Sequence, residues 1–147
     1  MLVPMIVHLI KLVVGSNTLE EFATWQRDEV VMFEGKPANV VHTRNMPKQA
    51  DEILKTGGSI YRTIKGRICC RQRIVGFQKT ETPDGKPKCL ILTDTEIMQT
   101  HSLSHRPFQG WRYFKEENTP KDMRPYVLGQ ETMPPEIEAG LREAGLL

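Results

Sequence analysis

The feature that most constrains the fold is a long segment, Arg67 to Lys79, in which small or apolar residues alternate with other residues. This alternation is typical of a β-strand that buries one face. A strand pattern at Ser59 to Ile64 precedes it, before Lys65-Gly66. The turn sequence Pro83-Asp84-Gly85-Lys86 separates it from another strand pattern at Lys88 to Thr93. These segments therefore predict consecutive antiparallel strands joined by hairpin turns.

The other segments predict both strands and helices. Strands are expected at Ile6 to Val14, at Asn39 to Thr43, between Ile97 and Leu103, and after the loop that begins at Arg106; helices are expected at Thr18 to Phe33, from about Pro47 to Gly57, and at Pro135 to Ala144. At 147 residues the chain has the length of one domain. We therefore predict a single α+β domain with a curved, mostly antiparallel sheet or a small barrel, flanked by helices.

Composition limits the classes of function. Lys and Arg number 20 against 18 Asp and Glu, so the net charge is only +2 and any basic patch must be local. The apolar segment Met5 to Val14 contains His8 and Lys11 and is about half the length that spans a bilayer. We expect a cytoplasmic protein with no membrane association. Cys69 and Cys70 are adjacent and would point to opposite faces of a strand, which argues against a disulfide framework.

A basic strand face is the first candidate binding surface. The span from Ser59 to Lys79 has six basic residues and no acidic residue. In regular alternation Arg67, Arg71 and Arg73 share one face, and Ile68, Cys70, Ile74 and Gly76 share the other. Such a face could bind the phosphates of a nucleic acid or of a small molecule. The alternative interpretation is an ordinary solvated face of an antiparallel sheet.

Two further segments combine cations with features that suit nucleotides. The stretch Arg106 to Tyr113 places Arg106 and Arg112 among Phe108, Trp111 and Tyr113, and such rings can stack on bases. Alternatively, Phe108 and Trp111 fill one end of the core. Arg44 and Lys48 flank the start of the second helix, whose first-turn amides could bind phosphate. Asn45 could instead cap those amides.

Catalytic and metal-binding signatures are weak. The sequence has no Cys-x-x-Cys spacing, and Ser102, Ser104 and Pro107 disfavour a helix that would pair His101 with His105. We predict no metal and no cofactor. Cys69 lies among cations that would favour its thiolate, although a buried, inert cysteine is the commoner case. No nucleophile elbow, Walker loop or dinucleotide-binding glycine motif is present, which favours a binding module.

Three segments, Gly57 to Gly66, Arg71 to Ile74 and Arg106 to Tyr113, form a recognisable pattern, which extends to Val7 to Leu12 and Leu141 to Leu147. In these segments the chain resembles an uncharacterised bacterial family, domain of unknown function 1489. The family name implies no activity.

One residue departs from this family pattern, because the resemblance implies an aromatic residue where this chain has Arg62. Loss of that ring weakens any stacking role for the strand. A looser similarity is to PUA-like folds, which include the ASCH and EVE domains. That similarity implies a small curved sheet that binds RNA or modified bases, and it is an analogy of fold.

Three functions are therefore open. The first is a PUA-like nucleic-acid or nucleotide-binding module, with RNA or a nucleotide as partner. Its candidate binding residues are Arg44, Lys48, Tyr61, Lys65, Arg67, Arg71, Arg73, Arg106, Trp111, Arg112 and Tyr113. The second is an enzyme acting on a small anionic substrate, with Cys69 or His101 as the reactive group. The third is a protein-interaction domain anchored by the aromatic loop.

Overall fold

The computed structural model describes residues 5–129 and 135–145. Within these ranges the chain forms one α+β domain. Its elements are β1 (Val7–Leu12), α1 (Leu19–Asp28), β2 (Val31–Phe33), β3 (Lys36–Thr43), α2 (Ala50–Thr56), β4 (Ser59–Ile64), β5 (Arg67–Glu81), β6 (Pro87–Thr93), β7 (Met98–Ser104), β8 (Trp111–Lys115), a 3-10 turn (Glu116–Asn118), β9 (Asp122–Pro125) and α3 (Pro135–Glu143). None of the helices within the described ranges is both long enough and apolar enough to cross a bilayer.

The strands form one mostly antiparallel sheet. The order along its main path is β2-β3-β6-β5-β4-β1-β8, and β7 and β9 extend it from β5. One pair, β1 with β4, is parallel, and the connection between these two strands runs through α1, β2, β3 and α2. The described strands do not close on themselves, so they form an open sheet rather than a barrel. The predicted mostly antiparallel sheet is therefore confirmed, and the alternative prediction of a small barrel is wrong.

The long strand predicted at Arg67 to Lys79 is confirmed as β5, which pairs with β4, β6 and β7. Its regular alternation is interrupted by β-bulges at Cys69 and Val75. A bulge adds one residue to one strand and so changes which side chains share a face. Consequently Ile68 lies in a core cluster with Tyr61, whereas Cys70 lies in another cluster. The prediction that Ile68 and Cys70 share a face is therefore wrong.

Helix α1 begins as predicted but ends early. Thr18 Oγ1 accepts the Glu21 N–H at 3.1 Å, which caps the first turn. The predicted helix to Phe33 is wrong over its last residues, because β2 (Val31–Phe33) pairs with β3. Glu34 and Gly35 both have positive φ, of 50° and 78°, and so form the tight turn between these strands.

The Gly57-Gly58 turn holds β4 close to β1. Gly57 ends α2 in the left-handed conformation, with φ of 76°. A Cβ atom on Gly58 would lie 1.9 Å from the backbone oxygen of Val7, so a residue larger than glycine does not fit there. Behind this turn Leu9, Ile53 and Ile60 form part of a fully buried cluster, against which Trp111 packs. The core under α2 therefore fixes the position of Trp111 on β8.

Candidate functional site

A recess beside Trp111 brings three cations together near an aromatic ring. It has a volume of about 610 Å³ and is lined by Lys11, Arg44 and Lys88, together with His42 and Trp111. None of the described residues that line it is an aspartate or a glutamate. We call it the Trp111 recess. Three positive charges therefore share this recess.

Strand pairing explains why these residues meet although they are far apart in sequence. Lys11 on β1 lies directly opposite Trp111 on β8 in the antiparallel register. Thr43 at the end of β3 pairs with Cys89 on β6, which brings Arg44 and Lys88 to the same edge of the sheet. The recess therefore lies where the ends of these two strand pairs converge.

Two hydrogen bonds fasten β8 to the loop between β3 and α2. The indole N–H of Trp111 donates to the backbone oxygen of Asn45 at 2.8 Å, and the Tyr113 hydroxyl accepts the Gln49 N–H at 3.1 Å. The two rings meet edge to face, with centroids 5.0 Å apart. Trp111 is thereby held in a fixed orientation while part of its surface lines the recess. A pre-oriented ring of this kind suits stacking on a flat ligand.

The positive charges perturb one another. Burial, and then the positive charge of Arg62, lower the pKa of Lys11. Partial burial, and then the charge of Lys88, lower the pKa of His42, so this ring is neutral at pH 7. In both groups burial is the larger cause, and the neighbouring positive charge adds to it. An anion in the recess would relieve this repulsion.

Arg62 supplies part of that field from inside the protein. Its guanidinium group donates to the backbone oxygens of Lys11 and Leu12, each at 3.2 Å, and lies over the Phe22 ring at 5.2 Å. Only 6% of the residue is exposed, and burial lowers its pKa to about 10. The resemblance implied an aromatic residue at this position, and the structure instead places a buried cation there.

A second recess adjoins the first. It has a volume of about 710 Å³ and is lined by Lys48 and Lys79, with Asp51 and Glu81. We call it the Lys79 recess. Arg44, Asn45, Pro87 and Lys88 line both recesses, and we call this shared boundary the ridge. The two recesses and this ridge together are called the cationic groove.

Three of the predicted binding residues, Arg44, Lys48 and Trp111, line this groove. The predicted basic strand face does not join them. Arg71 forms a two-pronged ion pair with Asp122, with N–O distances of 2.8 and 2.7 Å, and also donates to Ser59 Oγ at 2.8 Å. Its charge is therefore already paired.

The other two arginines of that strand lie apart from each other. Arg67 Nε donates to Ser102 Oγ at 2.6 Å. Arg73 lines a separate recess that also contains Glu34 and Asp94. The bulges in β5 and these acidic neighbours prevent the strand from presenting one continuous positive face.

The remaining predicted residues also lie away from the groove or inside the core. Tyr61 is only 3% exposed and contacts the His8 and Phe114 rings edge to face, so its ring is not accessible to a base. Arg112 lies over the Phe108 ring at 4.7 Å. The linings of the two recesses also do not include Lys65, Arg106 or Tyr113. Tyr113 is nevertheless attached to the loop that borders the groove, through its hydrogen bond with Gln49.

The two candidate reactive groups of the enzyme hypothesis are Cys69 and His101. Cys69 is 5% exposed, and its contact with Cys70 and its burial raise the pKa of its thiol, which is the opposite of an activated thiolate. The bulge places the two Sγ atoms 3.9 Å apart on the same side, so the expectation of opposite faces is wrong. His101 is half-buried on β7, and its backbone N–H donates to Lys121.

Sequence reasoning missed three residues of the Trp111 recess: Lys11, His42 and Lys88. Lys11 had a detectable signal, because it is the one basic residue other than His8 in a largely apolar strand. The other two lie on ordinary strand patterns and become neighbours only through the pairing of β3 with β6. Among the residues that the structure describes, no group of three or more His, Cys, Asp or Glu side chains is arranged to hold a metal ion.

Comparison with known proteins gives a family and no function. No curated protein matches the chain, and no solved structure matches it, so the PUA-like similarity remains a prediction. The model of the family described as "Protein of unknown function (DUF1489)" matches residues 9–147. Because this match covers nearly the whole chain, the protein belongs to the DUF1489 family.

Proposed function

We propose that the protein binds a nucleotide or a nucleic acid, with phosphate held by the cations of the cationic groove. The observation that supports this most strongly is the set of Lys11, Arg44 and Lys88 around one recess that no described carboxylate lines. Arg71, by contrast, is already paired with Asp122. A cleft lined by charges of one sign attracts ligands of the opposite sign.

Trp111 distinguishes a nucleotide from a simple anion. Its ring lines the same recess as the three cations, and its indole N–H is already occupied by Asn45. The ring therefore offers its apolar surface rather than a hydrogen bond. Stacking on an aromatic face stabilises a bound base without requiring a particular sequence. A ligand with both a phosphate and a base uses both features.

A second candidate is an enzyme acting on a small anionic substrate in the same recess. The observation that favours it is the lowered pKa of both Lys11 and His42, which raises the uncharged fraction of an amine and of an imidazole near Arg44. Such an amine can attack a carbonyl group. Incubation with a phosphorylated aldehyde followed by borohydride, with mass spectrometry of the peptide that contains Lys11, tests this candidate.

Fluorescence anisotropy with labelled single-stranded RNA, single-stranded DNA and duplexes, at low and near-physiological salt, tests the first proposal. We expect Kd values on the order of micromolar for at least one of these at low salt, weakening steeply as salt rises. Arg44→Gln should weaken binding, whereas Arg73→Gln, a matched change outside the groove, should not. Absence of binding at low salt, or equal effects of the two substitutions, would contradict the proposal.

A further inference from the structure

The ridge between the two recesses suggests the form of the ligand. Arg44 and Lys88 line both recesses, so an anion resting on the ridge contacts both cations and has space on either side. Each recess, at about 610 and 710 Å³, is within the size range of pockets that hold one small molecule. A ligand that fills both recesses therefore consists of two such units joined by an anionic group.

We propose that the cationic groove binds a single-stranded nucleic acid as a dinucleotide step, with one nucleoside in each recess and the connecting phosphodiester over Arg44 and Lys88. This inference rests on the proposed function and specifies its ligand. The first nucleoside stacks on Trp111. The second enters the Lys79 recess, where Lys48 and Lys79 neutralise the next phosphate.

Duplexes do not fit this arrangement. Bases in a duplex are stacked on each other and paired, so they reach a recessed aromatic ring only after leaving the helix. The ridge also separates the two recesses, and consecutive bases must part to enter them. The rotatable backbone of a single strand allows this separation, whereas a paired helix resists it. The groove therefore discriminates between strands by shape as well as by charge.

The charges of the two recesses differ in a way that gives them separate roles. The Trp111 recess has no described acid in its lining. The Lys79 recess contains Asp51 and Glu81 beside its lysines, so its net positive charge is smaller. A mononucleotide is therefore expected to occupy the Trp111 recess first, and a second nucleotide adds affinity through the Lys79 recess.

A length series of oligoadenylates tests this inference: adenosine monophosphate, the dinucleotide ApA, the tetranucleotide and a duplex containing the tetranucleotide sequence, measured by calorimetry at low salt. We expect affinity to rise at least about tenfold from the mononucleotide to the dinucleotide, because one more base stacks or is enclosed. The rise from the dinucleotide to the tetranucleotide should be smaller. The duplex should bind more weakly than the single strand.

Two substitutions separate the recesses. Lys79→Gln should weaken the tetranucleotide about fivefold, which is the order of one lost phosphate contact at low salt, and should leave the mononucleotide unchanged. Lys11→Gln should weaken both ligands. Lys36→Gln, which makes the same change in charge outside the groove, should affect neither.

The outcomes distinguish this inference from the proposed function. Equal affinities for mononucleotide and dinucleotide, equal binding of the duplex, or no effect of Lys79→Gln on the tetranucleotide would overturn the dinucleotide arrangement while leaving nucleotide binding in place. Absence of binding by every adenylate and oligonucleotide would overturn both.

Discussion

Replacing Lys88 with glutamine removes one of the three cations that line the Trp111 recess. For single strands, the logarithm of the association constant falls against the logarithm of salt concentration with a slope of about −0.7 per neutralised phosphate. Contacts from Lys11, Arg44 and Lys88 alone give a slope of about −2, which is a loss of roughly 20-fold between about 50 and 200 mM salt. With two contacts the slope is about −1.4 and the loss is roughly sevenfold.

The assay is fluorescence anisotropy of a labelled single strand of about 12 nucleotides at several salt concentrations in this range. Contacts in the Lys79 recess would steepen both slopes, but the difference of about 0.7 between wild type and Lys88→Gln would remain. The control is Lys36→Gln, because Lys36 lies at the opposite end of β3 from the groove, more than about 20 Å from Thr43. Identical slopes for Lys88→Gln and wild type, or an equal change in the control, would refute the reasoning.

Three further predictions concern pH, the tight turn and the paired arginine. Because the pKa of His42 is lowered, its ring gains a proton only below the ordinary range of histidine. Acidification through that range adds a cation to the recess, so oligonucleotide affinity should rise, and His42→Gln should abolish that rise. Gly58→Ala should lower the free energy of unfolding by about 2–4 kcal/mol in urea titrations, because the added Cβ meets the Val7 backbone oxygen. The control is Gly140→Ala, which has open space around it and should raise the free energy of unfolding by up to about 1 kcal/mol. A stable Gly58→Ala protein would contradict the close approach of the two strands. Arg71→Gln should lower the free energy of unfolding by about 1 kcal/mol, because it removes a partly exposed ion pair with Asp122. Its affinity for oligonucleotides, measured by anisotropy, should equal that of the wild type. A loss of affinity would indicate that the basic strand, rather than the groove, binds the ligand.

Local sequence patterns predicted most of the sheet, because alternation and turn residues act over short distances. The long strand β5, its hairpins and the Thr18 cap are all encoded within a few neighbouring residues. The end of α1 was missed because the pairing of β2 with β3, rather than helix propensity, determines the conformation of Val31–Phe33. Tertiary pairing overrides local preference at such a boundary.

The candidate site was only partly predictable. Arg44, Lys48 and Trp111 stood out because charge and aromaticity are visible in the sequence. The basic strand stood out equally, but its charges are neutralised or dispersed by partners such as Asp122, which is far from Arg71 in the chain. Neither the ion pair nor the shift in face caused by the β-bulge at Cys69 leaves a sequence signal.

Nuclear magnetic resonance of isotope-labelled protein titrated with a single-stranded oligonucleotide tests the central claim most directly, because it locates the binding surface. We predict that the largest shifts occur at the indole N–H of Trp111 and at the backbone amides of Arg44 and Lys88, with smaller shifts near Lys79. Largest shifts along Arg67 to Arg73, or no shifts at saturating oligonucleotide, would contradict the account.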